Sequence, residues 1–155
     1  MASPKLQRGR HSLTSAYYTV TTITQDRRPI FHNPILARIA AREFDVLSHE
    51  NGAESLAWVV MPDHVHWLLQ LQEQSLSRCV QRFKSRAARA INSATGSQGG
   101  IWQAGYYDHR LRNEDDLVEQ ARYIIANPVR RGLVPRIGDY PHWWCRWVIG
   151  GNTDW

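Results

Sequence analysis

The chain has 155 residues, 43% of them hydrophobic, enough for one domain with a buried core and too apolar for a disordered chain. No stretch approaches the roughly 18 apolar residues of a membrane span, and the basic start, Met1 to Arg10, lacks the apolar run of a secretory signal. Cys79 and Cys145 form no CxxC pair, so neither a disulfide framework nor a cysteine zinc site is expected, and the expected setting is the reducing cytoplasm.

Nineteen Lys and Arg against fourteen Asp and Glu give a net charge of +5, and only Lys5 and Lys84 are lysines. Arginine forks bind phosphate bidentately and stack on bases, so the balance points to a nucleic-acid partner. A GC-rich coding sequence would produce the same bias, so position carries more weight than count.

In chain order, residues 1–15 form a basic arm carrying Arg8 and Arg10. Ala16 to Thr24, rich in Tyr, Thr and Val, predicts a strand. After a turn at Asp26 to Pro29, Asn33 as N-cap and Pro34 at the first helical position predict a helix to about His49, ended by Asn51-Gly52. Ser55 to Met61 and His64 to Leu71 predict two strands joined at Pro62-Asp63. Ser75 is positioned to cap a helix reaching about Asn92, and Ser93 to Gly100 reads as a loop. Tyr106 to Leu111 predicts another strand. Asn113 is placed to cap a third helix, with Glu114, Asp115 and Asp116 in its first turn and Asn127-Pro128 at its end. The tail from about 141 to 155 is aromatic, and no repeat or second domain is evident. The first six elements follow the split βαβ, ferredoxin-like order. The expected fold is therefore α+β, an antiparallel sheet with helices on one face and the other face left for a ligand.

Two features carry chemistry. Side chains alternate along a strand, so His64 and His66 share a face while Val65, Trp67, Leu69 and Leu71 point to the core. Paired imidazoles suit a divalent ion, although a bare HxH is also what an ordinary half-exposed sheet face shows. On the third helix Leu117, Ala121, Ile124 and Ile125 make one apolar stripe, and Tyr123 lies nearly opposite, with Asp116, Gln120 and Asn127 beside it. A core tyrosine would sit in the stripe. The ordinary alternative is an exposed surface tyrosine.

The run Met61-Pro62-Asp63-His64-Val65-His66-Trp67 resembles the HUH motif of single-tyrosine DNA transposases. The run from Tyr123 through Ile124, Asn127, Pro128 and Arg130 to Leu133 is similar to the nucleophile helix of the REP-associated tyrosine transposases. Trp102, Tyr107 to Arg112 and Asp139 to Pro141 follow in that family's order, as does the aromatic tail, and Asn127 stands where the insertion-sequence branch typically has glutamine.

The resemblance implies the HUH endonuclease fold and Mg²⁺ or Mn²⁺ held by His64, His66 and Asn127. It implies Tyr123 as the nucleophile that forms a 5′-phosphotyrosine, and a single-stranded DNA hairpin from repetitive extragenic palindromes as substrate. Asp116 and Gln120 are candidates for supporting roles. It further implies association with the bacterial nucleoid and a monomer, with the dimer of the insertion-sequence branch as the open alternative.

For DNA contacts, Arg78, Arg82, Arg86 and Arg89 make one ridge on the second helix, with no acidic residue on that helix to pair them, and Arg110, Arg112, Arg130, Arg131 and the N-terminal arm add to it. The competing expectations are a non-catalytic single-stranded nucleic-acid-binding domain using the same basic surface, and a relic transposase with lost chemistry.

Overall fold

The computed structural model describes residues 15–113 and 116–147. Among them five strands form one antiparallel sheet: β1 (Tyr17–Ile23), β2 (Ala53–Met61), β3 (His64–Leu71), β4 (Tyr107–Leu111) and β5 (Trp143–Cys145), in the spatial order β4-β1-β3-β2-β5. Four α-helices accompany it among the described residues: α1 (Pro34–His49), α2 (Leu76–Thr95), α3 (Leu117–Ile125) and the single turn α4 (Asn127–Arg130). The α+β antiparallel architecture is the expected one, and no described helix is long and apolar enough to cross a membrane.

Two of the three predicted caps form, and at the third helix Asp116, not Asn113, holds the N-cap position. The Asn33 side chain accepts a hydrogen bond from Ile35 N at 2.9 Å with Pro34 following, and the Ser75 hydroxyl accepts from Arg78 N at 3.2 Å. Helix α2 outruns its predicted end by three residues. Ser93, Ala94 and Thr95 still support helical bonding, and termination waits for Gly96, which takes the left-handed conformation at φ 66° that a side chain disfavours.

Helices α1 and α2 share one face of the sheet. Phe44 from α1 lies 4.9 Å from Phe83 of α2 and 5.0 Å from Trp67 of β3, centroid to centroid, and Val65, Leu69 and Leu71 complete this core. The strand period thus directs Val65, Trp67, Leu69 and Leu71 to one core, as predicted, and leaves His64, His66 and Leu68 on the other side.

That second side is only partly open. Leu117, Ala121, Ile124 and Ile125, the predicted stripe of α3, are its buried residues and pack on Leu56, Ala57, Val59, Met61 and Leu68. The first two helices therefore sit on one face as expected, and the third covers part of the other, the face expected to be left for a ligand. Within the predicted third helix, Asn113 closes a turn with its carbonyl accepting from Asp116 N at 3.2 Å, and helical geometry begins at Leu117. Glu114 and Asp115 lie outside the described residues, as do Arg8, Arg10 and the rest of residues 1–14.

Part of the aromatic tail is a fifth strand. Trp143, Trp144 and Cys145 pair with Val59, Trp58 and Ala57 on the β2 edge, and the buried Tyr140 hydroxyl donates to the Val60 carbonyl at 2.6 Å. Three residues are too few for an alternation pattern, which is why sequence periodicity does not reveal this strand.

Candidate active site

The site lies where β1 and β3 meet the junction of α3 and α4. Antiparallel register puts Thr21 opposite His66 and Ile23 opposite His64, so these side chains share the uncovered face. The imidazoles meet edge to face, with His64 Nε2 3.2 Å from His66 Nε2. Asn127, buried at 3% exposure, brings its carboxamide Nδ2 to 3.2 Å from the same His64 Nε2. It does so because α3 ends at Ile125 and the chain turns at Ala126 before α4 begins, with Pro128 in the first turn of α4. The three predicted ligand residues are thus assembled from two elements more than sixty residues apart in sequence.

Each histidine is oriented from behind. His64 Nδ1 bonds Asp63 Oδ1 at 2.7 Å, and Asp63 Oδ2 takes a guanidinium hydrogen bond from Arg27 at 3.3 Å. His66 Nδ1 bonds the Thr21 hydroxyl at 2.9 Å. The Asp63 carboxylate can only accept, so His64 donates Nδ1–H and aims its Nε2 lone pair at the common space, and the Thr21 hydroxyl can hold His66 in the same tautomer.

Burial lowers both imidazole pKa values. For His64 the Asp63 carboxylate opposes the shift, while Arg131 and Arg27 reinforce it. His66 has no such carboxylate, and burial together with His64, Arg130 and Arg131 pushes it down to about 3. Burial raises Asp63, but its hydrogen bond to His64 and the charges of His64 and Arg27 outweigh that and hold the carboxyl below its ordinary value. The site at neutral pH therefore presents two neutral imidazoles and a carboxylate behind one of them.

This donor set suits a divalent ion. Two ligands each roughly 2.1 Å from one octahedral ion sit about 3 Å apart, close to the 3.2 Å between the two Nε2 atoms. Among the described residues no cluster of three His, Cys, Asp or Glu side chains is placed to hold a metal. The third donor is a carboxamide, which would ligate through Oδ1 after a half-turn, since Nδ2 now faces His64.

A cavity of about 220 Å³ opens over the histidines, lined by Thr21, Ile23, Arg27, His64, His66, Tyr107 and Arg131. Arg27 and Arg131 supply its positive charge. Tyr123 is 61% exposed on α3, one turn before Asn127 and off the buried stripe. Its ring lies under the Arg130 guanidinium, 3.7 Å from the ring centroid. Of the supporting candidates, Asp116 occupies the N-cap position of α3 without a side-chain capping bond, and Gln120 is half-buried on that helix.

The predicted arginines divide by layer. Arg130 and Arg131 are at the site. Arg78, Arg82, Arg86 and Arg89 line a groove on α2, in the helical layer that packs on the sheet face opposite the histidines. This ridge is partly neutralised: Arg86 Nε reaches Glu43 Oε1 at 2.8 Å, Arg86 Nη1 reaches Glu50 at 3.2 Å, and Arg82 reaches Glu50 at 3.0 Å. The absence of acidic residues on α2 itself concealed these pairs, which Glu43 of α1 and Glu50 at its C-cap supply. Arg110 is exposed on β4 with the parity opposite to Tyr107, and Arg112 is exposed just beyond the strand. Sequence reasoning passed over Thr21, Arg27 and Asp63. Asp63 carried a signal, being adjacent to His64 in the motif, whereas Thr21 and Arg27 come from β1 and the turn after it.

A single antiparallel sheet bearing an imidazole pair, with a tyrosine helix packed against that face, defines the class to which the chain is similar. A family model described as "Transposase IS200 like" matches residues 12–127, a span that includes His64, His66, Tyr123 and Asn127. The chain belongs to that family.

Among individual relatives it is similar to the REP-associated tyrosine transposase of Escherichia coli K12, with 34% identity over 87 residues. The matched stretch covers 55% of this chain and half of that protein. A Haemophilus influenzae protein assigned to the REP-associated tyrosine transposases is 26% identical over 136 residues, 81% of this chain and 77% of that one. The fold matches a solved structure of a REP-associated tyrosine transposase bound to a REP hairpin, with a TM-score of 0.73 and 23% identity over 92% of this chain and 82% of the other.

Proposed function

We propose that the chain is a metal-dependent single-strand DNA endonuclease and strand transferase acting at hairpins from repetitive extragenic palindromes. The observation that carries this reading is the 3.2 Å approach of Asn127 to His64, which seats the tyrosine helix on the histidine face of the sheet. The E. coli relative and the hairpin-bound structural neighbour support the choice of substrate.

In this reading His64, His66 and Asn127 would hold Mg²⁺ or Mn²⁺, which would supply charge stabilisation for the scissile phosphate. Asp63 and Thr21 keep the imidazole lone pairs aimed, and Arg27 and Arg131 draw the phosphodiester into the cavity between them. The Tyr123 phenolic oxygen attacks phosphorus. A P–O bond to tyrosine forms, the bond to the 3′-oxygen breaks, and the phenolic proton is lost as the leaving 3′-oxygen gains one. The products are a 5′-phosphotyrosine and a free 3′-hydroxyl. The covalent ester conserves the bond, so a strand end can rejoin without ATP. The proposed acting form is a monomer, and the alternative is a dimer in which one copy's Tyr123 serves the partner's histidines.

The test is incubation with a labelled single-stranded hairpin and Mg²⁺ or Mn²⁺. A covalent protein–DNA adduct is expected, lost on chelation and in Tyr123→Phe. Binding without any adduct across hairpin sequences would instead establish a non-catalytic nucleic-acid-binding domain.

A further inference from the structure

We propose that Arg130 is a positioning residue for Tyr123 and not one of the phosphate contacts that its place in a basic sequence run suggests. This rests on the reading of Tyr123 as the nucleophile.

Arg130 makes two close contacts with that residue. Its Nη1 donates to the Tyr123 carbonyl at 2.6 Å, and its guanidinium carbon stands 3.7 Å over the centroid of the Tyr123 ring. A third, longer contact runs from Nη2 to Asn127 Oδ1 at 3.4 Å. One fork therefore touches the backbone and the ring of the proposed nucleophile and the side chain of the proposed third ligand.

The backbone explains how the contact arises. Seven residues along an unbroken helix span about 10.5 Å. The turn at Ala126 interrupts α3, and Arg130, in the last position of α4, reaches back over the end of the preceding helix. The Tyr123 carbonyl is among the last four of α3, whose intrahelical partners are missing, and Arg130 satisfies it. Capping alone accounts for that bond. It does not account for a planar cation laid on the ring face.

The ring needs such a hold. At 61% exposure Tyr123 has little packing to select a rotamer. Chemical attack demands that the phenolic oxygen be held in line with phosphorus, and a displacement of about 1 Å can reduce a rate by about 100-fold. The guanidinium face restrains the aromatic plane at a cost in exposed area far smaller than burying it would require. Nη1 of Arg130 is directed at the Tyr123 carbonyl and its planar face at the Tyr123 ring, whereas the neighbouring Arg131 lines the cavity.

Single-turnover adduct formation with a labelled single-stranded hairpin and Mn²⁺, alongside hairpin affinity by fluorescence anisotropy in EDTA, separates the two roles. For Arg130→Ala the rate at saturating hairpin is expected to fall about 10- to 100-fold, with hairpin affinity within twofold of the parent. Arg130→Lys, which keeps the cation but not the planar fork, is expected to fall between. Arg131→Ala is expected to weaken hairpin binding.

Side-chain NMR provides a readout that a plain helix cap would not move. Arg130 resonances should show the upfield ring-current shift of protons over an aromatic face and lose it in Tyr123→Leu. The proposal is overturned if Arg130→Ala weakens hairpin binding while the saturated rate is unchanged, if neither quantity moves, or if the ring-current shift is absent. Should Arg130→Ala fail to fold by circular dichroism, Arg130→Lys and the NMR signature decide. Tyr123→Phe in parallel isolates the underlying reading: an adduct that survives it removes Tyr123 as nucleophile, whatever Arg130 does.

Discussion

At the scale of single residues, the site depends on side chains that never reach the ligand space. Asp63 is one: its carboxylate fixes the ring and tautomer of His64 from behind while Arg27 holds the carboxylate in turn. Partners of this kind are worth about 10- to 100-fold in metal affinity or activity. Asp63→Asn is therefore expected to weaken Mn²⁺ binding by about tenfold or more, read by electron paramagnetic resonance titration, with little change in melting temperature.

Tyr140 shows the same dependence in stability rather than function. Its hydroxyl bonds the Val60 carbonyl, and burial pushes its pKa from 10.0 up to about 12. Between those values the unfolded chain has lost the proton that the folded chain keeps, so stability is full below pH 10 and declines as pH rises toward 12. Tyr140→Phe should lack this component of alkaline loss and cost about 1 kcal/mol at neutral pH. Urea denaturation from pH 7 to 11.5 measures both.

At the scale of elements, the informative case is α2. Its apolar face follows the helical period and buries Leu76, Cys79, Val80, Phe83, Ala87 and Ile91. Its arginine face is where sequence reasoning fell short. Pairing rules for one helix consider neighbours three and four residues along, and α2 offers no acid there. The acids arrive from α1 and its C-cap Glu50, with Glu43 only 8% exposed beneath Arg86. Arg86→Ala leaves that carboxylate without its closest cation. The partial exposure of the pair tempers the loss, and a destabilisation of about 1–3 kcal/mol is expected, observed as a lower melting temperature. Hairpin affinity should change little, because this groove and the histidine cavity lie on opposite layers.

Helix α3 is the converse. The stripe that sequence predicts is the stripe that is buried, and Tyr123, predicted to lie off it, is exposed. The predicted stop at Asn127-Pro128 becomes a break at Ala126 followed by one further helical turn. Proline removes a backbone donor, but it is tolerated in a first helical turn, where that donor has no partner anyway.

At the scale of the whole molecule, basic character is less informative than where each charge sits. The net charge is +5, and among the described residues arginines stand on both layers. Of the arginines, Arg27 and Arg131 line the cavity with the histidines. Each phosphate neutralised on a single strand contributes a slope of about −0.7 in log affinity against log salt. Arg131→Ala should reduce the salt dependence of hairpin binding by about that amount, whereas Arg89→Ala on the opposite layer should leave it near the parental value. Anisotropy titrations across a salt series check this.

The sequence by itself determined the elements and their faces. The two-residue strand period put His64 and His66 on one side and Trp67 on the other. The helical period set Tyr123 apart from Leu117, Ala121, Ile124 and Ile125, and local capping chemistry at Asn33 and Ser75 marked the helix starts. These signals are short-range, set by dihedral geometry and by hydrogen bonds a few residues apart.

Only the tertiary structure decided which faces meet. It brought Asn127 to His64 and placed Thr21 and Asp63 behind the imidazoles. It set Arg27 at the cavity and Glu43 under Arg86, and it added β5 to the sheet edge. Those contacts join residues tens of positions apart, and they exist because the two sides of one sheet must each bury an apolar layer. No local pattern encodes which layer a given arginine will join.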